Sequence, residues 1–159
     1  MGDPRRFHAF ADLIQKHIPL DAKIGDIAGG KGYLQAALFQ RGYRNVTTWD
    51  VRKRCASPRR GYRHSLFDYR TAPSYDAVVG MHPDGATDQL LQYAAERHVP
   101  ALIVPCCAIG SVNAYWGARG GYREWMDYLK NRADYLGLSV IHTALSINGR
   151  NEVLICRPS

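Results

Sequence analysis

The chain has 159 residues, of which 46% are hydrophobic and 22% charged, a composition typical of one folded globular domain and unlike that of disordered proteins. Lysine and arginine exceed aspartate and glutamate by 21 − 14 = 7, so an anionic partner such as nucleic acid is expected. No stretch resembles a membrane span or a secretory signal, which predicts a cytoplasmic protein without membrane association.

The first half of the chain predicts helices alternating with strands. "DPRRFHAFADLIQKHI" has apolar residues at helical spacing, with Asp3 as the expected N-cap, Pro4 at the first helical position and Pro19 as the expected end. A short apolar strand, "AKIGDIA", leads through a glycine turn into the helix "KGYLQAALFQRG". "NVTTWD" and "HSLFD" are the second and third predicted strands.

The second half continues the alternation and ends in a hairpin. "YDAVVGMH" and "VPALIVPCC" are apolar runs typical of buried parallel strands, and a helix is predicted between them over 86–98. A long loop rich in glycine and aromatic residues follows, and then an amphipathic helix. Asn148-Gly149 predicts an antiparallel hairpin between the last two strands. The pattern as a whole predicts a single α/β domain over 1–159, a Rossmann-like three-layer sandwich with a mostly parallel seven-stranded sheet and a C-terminal antiparallel hairpin.

The glycine turn "KIGDIAGGKGYL" fits two nucleotide-binding patterns incompletely. Gly25, Gly30 and Lys31 match the start of a phosphate-binding P-loop, but that loop needs Ser or Thr where this chain has Gly32. Gly25 also lies inside the predicted strand, where the loop should not yet have begun. The dinucleotide-binding pattern G-x-G-x-x-G, counted from Gly30, requires a third glycine where this chain has Gln35. This argues against a nicotinamide-dependent reductase.

The segment "DIAGGKGYL" resembles the first motif of class I S-adenosylmethionine-dependent methyltransferases, an acidic residue followed by G-x-G-x-G. Asp26, Ala28, Gly30 and Gly32 fill those positions, with alanine in place of the first glycine. The resemblance implies that this turn binds S-adenosyl-L-methionine, where residues without a large side chain let the backbone approach the ligand. It also implies that Asp50, at the end of the second strand, accepts hydrogen bonds from both ribose hydroxyls.

Three further residues are candidates at the ends of predicted strands. Asp68, which closes "HSLFD", matches the position that often meets the adenine amino group in this superfamily, and a strand-end turn residue is the alternative. His82 and Asp84 follow the fourth strand, at the edge where open α/β sheets bind ligands, and either could accept a proton from a methyl acceptor. The alternative is that His82 is a structural hydrogen-bonding residue and that Asp84 caps the following helix.

A second resemblance lies downstream, in "MHPDGATDQLL" and "ALIVPCC". Both are similar to segments of the tRNA ribose 2′-O-methyltransferase family and of related methyltransferase-like proteins with an H-x-x-G plus Cys-Cys arrangement. The matching residues are His82, Gly85, Ala86, Thr87, Asp88, Cys106 and Cys107. The chain departs from that family at Met81, Pro83-Asp84 and Ala108-Ile109, and it lacks the family's zinc-finger modules. Because the adjacent cysteines have no metal-ligand spacing, no metal site is expected.

Basic and aromatic residues flank the expected site. The basic residues after the second strand are Arg52, Lys53, Arg54, Arg59, Arg60 and Arg63, and the loop after the fifth strand and the helix start beyond it contain Tyr115, Trp116, Arg119, Tyr122 and Arg123. They predict an RNA-binding rim, with a solvated basic loop and a lid over the cofactor as the alternative.

The sequence therefore predicts an S-adenosylmethionine-dependent methyltransferase with RNA as the candidate acceptor, recognised through short loops or a partner protein. The alternative function is a non-catalytic RNA-binding module that retains the methyltransferase fold.

Overall fold

The computed structural model describes residues 3–53, 60–106 and 121–159. The strands in these ranges are β1 (Ile24–Ile27), β2 (Val46–Asp50), β3 (Tyr62–His64), β4 (Ala77–Met81), β5 (Ala101–Val104), β6 (Leu138–Ala144) and β7 (Glu152–Pro158). The helices are α1 (Arg6–His17), α2 (Tyr33–Gln40), α3 (Thr87–Arg97) and α4 (Gly121–Tyr135). A 3₁₀ turn over Asp84–Ala86 precedes α3.

The strands form a single seven-stranded sheet in the order β3-β2-β1-β4-β5-β7-β6. The five strands from β3 to β5 are parallel, while β7 pairs antiparallel with both β5 and β6. The chain thus places β1 and β4 side by side at the centre, where the order of the strands reverses. The predicted mostly parallel sheet with its C-terminal antiparallel hairpin is confirmed.

Both faces of the sheet are covered by helices, and this explains the continuous apolar runs in the central strands. Along β5, Leu102 and Val104 pack on the side of α1 and α2, whereas Ala101 and Ile103 pack on the side of α3 and α4. Successive side chains in a strand point to opposite faces, so a strand buried on both sides must be apolar at every position. The result is the three-layer sandwich that the sequence predicts.

Two predicted element boundaries are wrong. The third strand covers Tyr62–His64 and pairs with β2 only, whereas most of the predicted segment "HSLFD" lies beyond it. The first helix begins at Arg6 and not at Pro4, because the Asp3 carboxylate accepts the backbone N–H of Arg5 at 2.9 Å and forms a turn there. The helix ends as predicted before Pro19, with Ile18 already in extended conformation.

None of the helices in the described ranges combines the length and the apolarity needed to cross a bilayer. Some residues that the sequence analysis singles out lie outside the described residues. They are Arg54, Arg59, Cys107, Ala108-Ile109, Tyr115, Trp116 and Arg119.

Candidate functional site

A pocket of about 380 Å³ opens at the carboxyl edge of the sheet, where β1, β2 and β4 end. That volume falls in the range of small-molecule sites, and this edge is where open α/β sheets bind ligands. Five of the eight predicted site residues line the pocket, namely Ala28, Asp50, Asp68, His82 and Asp84. The other three, Asp26, Gly30 and Gly32, lie in or beneath the glycine turn at its rim.

The glycine turn owes its shape to left-handed backbone at every second residue. Ala28, Gly30 and Gly32 have φ angles of 57°, 62° and 81°, which matches the G-x-G-x-G spacing of the motif. The left-handed conformation costs alanine about 1 kcal/mol relative to glycine, so the turn tolerates the missing first glycine. The turn closes with the N–H of Gly32 donated to the carbonyl of Gly29 at 3.0 Å.

Gly29, which the sequence analysis does not single out, has the least space in the turn. A Cβ there would overlap Oδ2 of Asp26 and would lie 2.6 Å from Cγ2 of Thr48. The sequence does contain an indication of this constraint. The motif requires glycine only at alternate positions, so Gly29 is a glycine that the motif does not explain. The backbone of the turn therefore lies directly on the Asp26 side chain.

Asp26 supports the turn from below and does not face the pocket. The residue is fully buried, and its Oδ2 accepts the Thr48 hydroxyl at 2.9 Å. Its Oδ1 has no hydrogen-bond partner within the described parts of the chain. Burial raises the pKa of Asp26 to about 7; the Thr48 hydrogen bond opposes this shift and the nearby charge of Asp50 adds to it. Asp26 is thus a buried residue on which the backbone of the glycine turn packs.

Asp50 is the carboxylate at the centre of the pocket wall. Its Oδ2 accepts the N–H of Gly30 at 2.8 Å, which ties the end of β2 to the glycine turn. Arg52 donates its backbone N–H and its Nε to Oδ1, and its Nη2 to Oδ2, at 2.9, 3.0 and 2.8 Å. Burial raises the pKa of Asp50, but the hydrogen bonds from Arg52 and Gly30 outweigh burial, so the net pKa is lowered and the group is ionised at neutral pH.

Asp68 lines the same pocket, together with a set of apolar side chains. The apolar residues of the pocket are Ile27, Trp49, Val51, Leu66, Phe67 and Pro83. Val51 and Leu66 are 60% and 71% exposed at the mouth, which makes this part of the pocket suited to a flat apolar group. The hydrogen bonds from Arg70 to the Asp68 side chain lower the pKa of that carboxyl. Its backbone carbonyl also accepts the N–H groups of Thr71 and Ala72, so Asp68 is a turn residue that also lines the pocket, and its contact with adenine stays a prediction.

His82 has its proton position fixed by the terminal hairpin. Nε2 lies 3.1 Å from the backbone carbonyl of Arg150, which only accepts, so the neutral ring carries its proton on Nε2 and leaves a lone pair on Nδ1. Burial lowers the pKa of His82; the Arg150 carbonyl opposes this shift, and the charge of Arg6 adds to it. The ring is therefore neutral at pH 7 and has the form a proton acceptor needs.

Asp84 and Cys106 meet across the ends of β4 and β5. The Cys106 thiol donates to Oδ1 of Asp84 at 2.7 Å, and the Asp84 carbonyl accepts the Thr87 hydroxyl at 2.9 Å. His82 and Asp84 have φ angles of 54° and 47°, an uncommon backbone conformation for residues other than glycine. This conformation turns the chain sharply after β4 and brings both side chains to the pocket.

Arg150, which the sequence does not single out, and Tyr122, which it predicts only as part of an RNA-binding rim, form a second layer behind His82. The guanidinium of Arg150 lies 3.8 Å from the ring centre of Tyr122, and the Tyr122 hydroxyl donates to the Pro105 carbonyl at 3.2 Å. Burial raises the pKa of the Tyr122 phenol, so it remains a hydrogen-bond donor. These contacts depend on the hairpin lying beside the sheet edge, which the sequence pattern does not reveal. Among residues 3–53, 60–106 and 121–159, no group of three potential metal ligands comes together.

Neither a protein-family model nor a curated protein matches the sequence. Solved structures do match the fold. Ribosomal protein L11 methylase from Lactobacillus delbrueckii subsp. bulgaricus has a TM-score of 0.69 and 12% identity, covering 100% of this chain and 81% of that chain. A candidate RNA methyltransferase from Pyrococcus horikoshii has a TM-score of 0.62 and 16% identity, covering 95% and 82%. Magnesium protoporphyrin IX methyltransferase from Synechocystis PCC 6803, solved with bound S-adenosylmethionine, has a TM-score of 0.63 and 12% identity, covering 96% and 78%.

These similarities establish the fold. The chain has the Rossmann-like architecture of class I S-adenosylmethionine-dependent methyltransferases, as the first sequence motif predicts. The acceptors named for the three proteins differ, so the fold does not specify an acceptor. The closer resemblance to the tRNA ribose 2′-O-methyltransferase group stays a prediction.

Proposed function

We propose that the protein is an S-adenosylmethionine-dependent methyltransferase with RNA as its methyl acceptor. The observation that carries the proposal is the position of the ionised Asp50 carboxylate, 2.8 Å from the Gly30 N–H and in one pocket with His82. A carboxylate beside a glycine turn suits a ribose, and a histidine at the next strand end suits proton transfer.

The residues of the pocket fit the methyl donor. Asp50 would hold the ribose hydroxyls, the exposed Val51 and Leu66 would cover the adenine faces, and Asp68 would meet the adenine amino group. Asp26 would act indirectly, as the buried support of the glycine turn that borders the ligand. When bound, S-adenosylmethionine supplies a methyl group already activated by its sulfonium, so the chain itself needs mainly to align the reactants.

His82 is proposed to take the proton from the group that receives the methyl. The Arg150 carbonyl accepts the Nε2 proton, so Nδ1 is the ring nitrogen that can accept a proton. Because burial lowers the pKa of His82, the ring is already deprotonated at neutral pH. Asp84 is paired with the Cys106 thiol and would orient the chain beside His82, with the sharp turn after β4 holding both in place.

RNA binding is supported by the net charge and by a basic groove, which lies at the edge of the sheet opposite the pocket. A groove of about 660 Å³ at the amino end of β2 is lined by Phe39, Arg44 and Arg60, together with Asn45, Val46, Thr47 and Gly61. Arg44 and Arg60 form no ion pair within the described parts of the chain, and Phe39 is 41% exposed. Unpaired arginines bind phosphates and exposed aromatic rings stack on bases, which is the combination expected for single-stranded RNA.

Calorimetric titration with S-adenosylmethionine and S-adenosylhomocysteine tests the donor site. Binding of both ligands is expected, and Asp50→Ala should weaken it by about tenfold or more because two hydrogen bonds to a charged group are lost. Absence of binding at millimolar concentration would disprove the enzyme proposal. The acceptor is tested by transfer of tritiated methyl groups to bulk RNA, which His82→Gln should reduce by at least about a hundredfold.

A second candidate function is a non-catalytic RNA-binding module, favoured by the same groove with Arg44 and Arg60 beside Phe39. This alternative predicts salt-sensitive RNA binding that does not depend on S-adenosylmethionine. It also predicts that no tritium enters RNA. Methyl incorporation that disappears in Asp50→Ala would exclude it.

A further inference from the structure

Arg52 occupies the carboxylate that the proposed ribose contact requires. An ionised carboxylate has about four acceptor positions, two on each oxygen. On Asp50 four donors are in place: the N–H groups of Gly30 and Arg52 from the backbone, and Nε and Nη2 from the Arg52 side chain. The acceptor capacity of Asp50 is therefore already filled, and a ribose cannot add two further hydrogen bonds.

The Arg52 side chain contributes one donor to each oxygen of Asp50. Nε bonds Oδ1 at 3.0 Å and Nη2 bonds Oδ2 at 2.8 Å, so removal of the guanidinium frees one position on each oxygen. Two neighbouring ribose hydroxyls offer the same number of donors. The backbone donors of Gly30 and Arg52 do not need to move in this exchange.

The guanidinium is the more exposed partner of this pair. The Arg52 side chain is 44% exposed, whereas that of Asp50 is 1% exposed and is fixed at the end of β2. Arginine also loses much rotamer freedom when it is held in one conformation, so release regains entropy. The guanidinium lies beside the glycine turn, with Nη2 3.5 Å from where a Cβ of Gly30 would be, and Arg52 lines the same pocket as Asp50.

We propose that Arg52 and the ribose diol of the adenosyl ligand bind Asp50 in mutually exclusive fashion, so that Arg52 sets the affinity of the pocket by competing for its carboxylate. This inference rests on the proposed function and goes beyond it. It assigns to Arg52 a role in ligand selection: only a ligand with two suitably placed donors can replace the two guanidinium N–H groups.

The chain contains a matched control for this pair. Arg5 donates its N–H and Nε to Oδ1 of Asp3, and its Nη2 to Oδ2, with the same connectivity at 2.9, 3.0 and 2.7 Å. Neither residue lines the pocket. Arg5→Met therefore removes an equivalent ion pair and the same positive charge without touching the proposed ligand site.

The experiment is calorimetric titration of S-adenosylhomocysteine into wild type, Arg52→Met and Arg5→Met, with folding of each variant checked by circular dichroism. Arg52→Met should bind about tenfold more tightly than wild type, because the ligand no longer displaces charge-assisted hydrogen bonds. Arg5→Met should bind as wild type does. Arg52→Lys, which keeps the charge but loses the planar fork, should lie between.

A 2′,3′-dideoxy analogue of S-adenosylhomocysteine separates competition for the carboxylate from simple obstruction. It should bind wild type and Arg52→Met equally, since it has no hydroxyls to exchange with the guanidinium. Equal or weaker binding of S-adenosylhomocysteine to Arg52→Met would overturn the inference while leaving the proposed function intact. So would a tightening that the dideoxy analogue shares. If neither wild type nor Arg52→Met binds S-adenosylhomocysteine, the proposed function is wrong and the inference falls with it.

Discussion

Asp26 couples the stability of the fold to pH at a single buried carboxyl group. Burial raises its pKa from 3.8 to about 7, so between these values the folded chain keeps a proton that the unfolded chain releases. A group of this kind destabilises the fold progressively as pH rises from about 4 to 7, by up to about 4 kcal/mol, and by a constant amount above that.

Asp26→Asn should remove this dependence. Relative to wild type, the ligand-free variant is expected to gain stability between pH 4 and pH 8, measured as the free energy of unfolding in urea. Asp21→Asn, at an exposed position, is the control and should follow the wild-type curve. Parallel pH profiles for wild type and Asp26→Asn would contradict the raised pKa.

Gly29 tests how closely the glycine turn rests on that carboxyl group. A Cβ at this position would overlap Asp26 Oδ2, so Gly29→Ala should cost about 3 kcal/mol or more of unfolding free energy. Gly137 is the control, because a Cβ there meets nothing within 4 Å although φ is 79°. Gly137→Ala should therefore cost only about 1 kcal/mol, the price of left-handed backbone. Equal losses in the two variants would show that the turn can move away from Asp26.

At the scale of elements, Tyr43 joins the start of β2 to the end of α1. Its buried hydroxyl donates to the Ile18 carbonyl at 2.6 Å, which is one of the carbonyls left unpaired where α1 ends. Tyr43→Phe should lower the free energy of unfolding by about 1–2 kcal/mol, since the carbonyl stays buried without its donor. Tyr135→Phe, at a ring that is 82% exposed, should change stability by less than about 0.5 kcal/mol. Similar values for the two variants in chemical denaturation would contradict the role given to Tyr43.

The elements that could be predicted from the sequence are those whose burial is uniform. The runs at β4 and β5 are apolar at every position because helices cover both faces, and Asn148-Gly149 lies in the connection between the antiparallel strands β6 and β7. The strand β3 was misplaced because an edge strand with Arg63 and His64 has no apolar signature. The more apolar Leu66 and Phe67 nearby serve as pocket wall instead.

The sequence could predict only those residues of the candidate site that lie at the ends of strands. Asp50 ends β2, and His82 and Asp84 lie within three residues of the end of β4, so their convergence at one edge follows from the parallel order of the sheet. The Arg52 side chain and the Arg150 carbonyl could not be predicted in the same way. The Arg52 contact depends on which donors bind the Asp50 carboxylate. The Arg150 contact depends on a hairpin 68 residues away from His82 along the chain.

At the scale of the whole molecule, ligand binding at one pocket should stabilise the complete domain. S-adenosylhomocysteine at a hundred times its Kd adds about 2.7 kcal/mol to the free energy of unfolding if it binds only the folded chain. For a domain of this size the midpoint of thermal unfolding should rise by roughly 5 to 10 °C. Differential scanning calorimetry measures the shift, and Asp50→Ala at the same ligand concentration should show much less of it. A wild-type midpoint that does not respond to the ligand would contradict binding to the folded state.

The pairing of an aspartate with the arginine two positions later recurs along the chain at Asp3-Arg5, Asp50-Arg52 and Asp68-Arg70. A contact this short in sequence does not need the fold in order to form. The unfolded chain can populate the same pairs, so part of their free energy is present in both states and cancels. The ion pair that governs access to the pocket is thus expected to contribute little to the cooperativity of folding, and selection can tune the affinity of the site at Arg52 with little consequence for the stability of the domain.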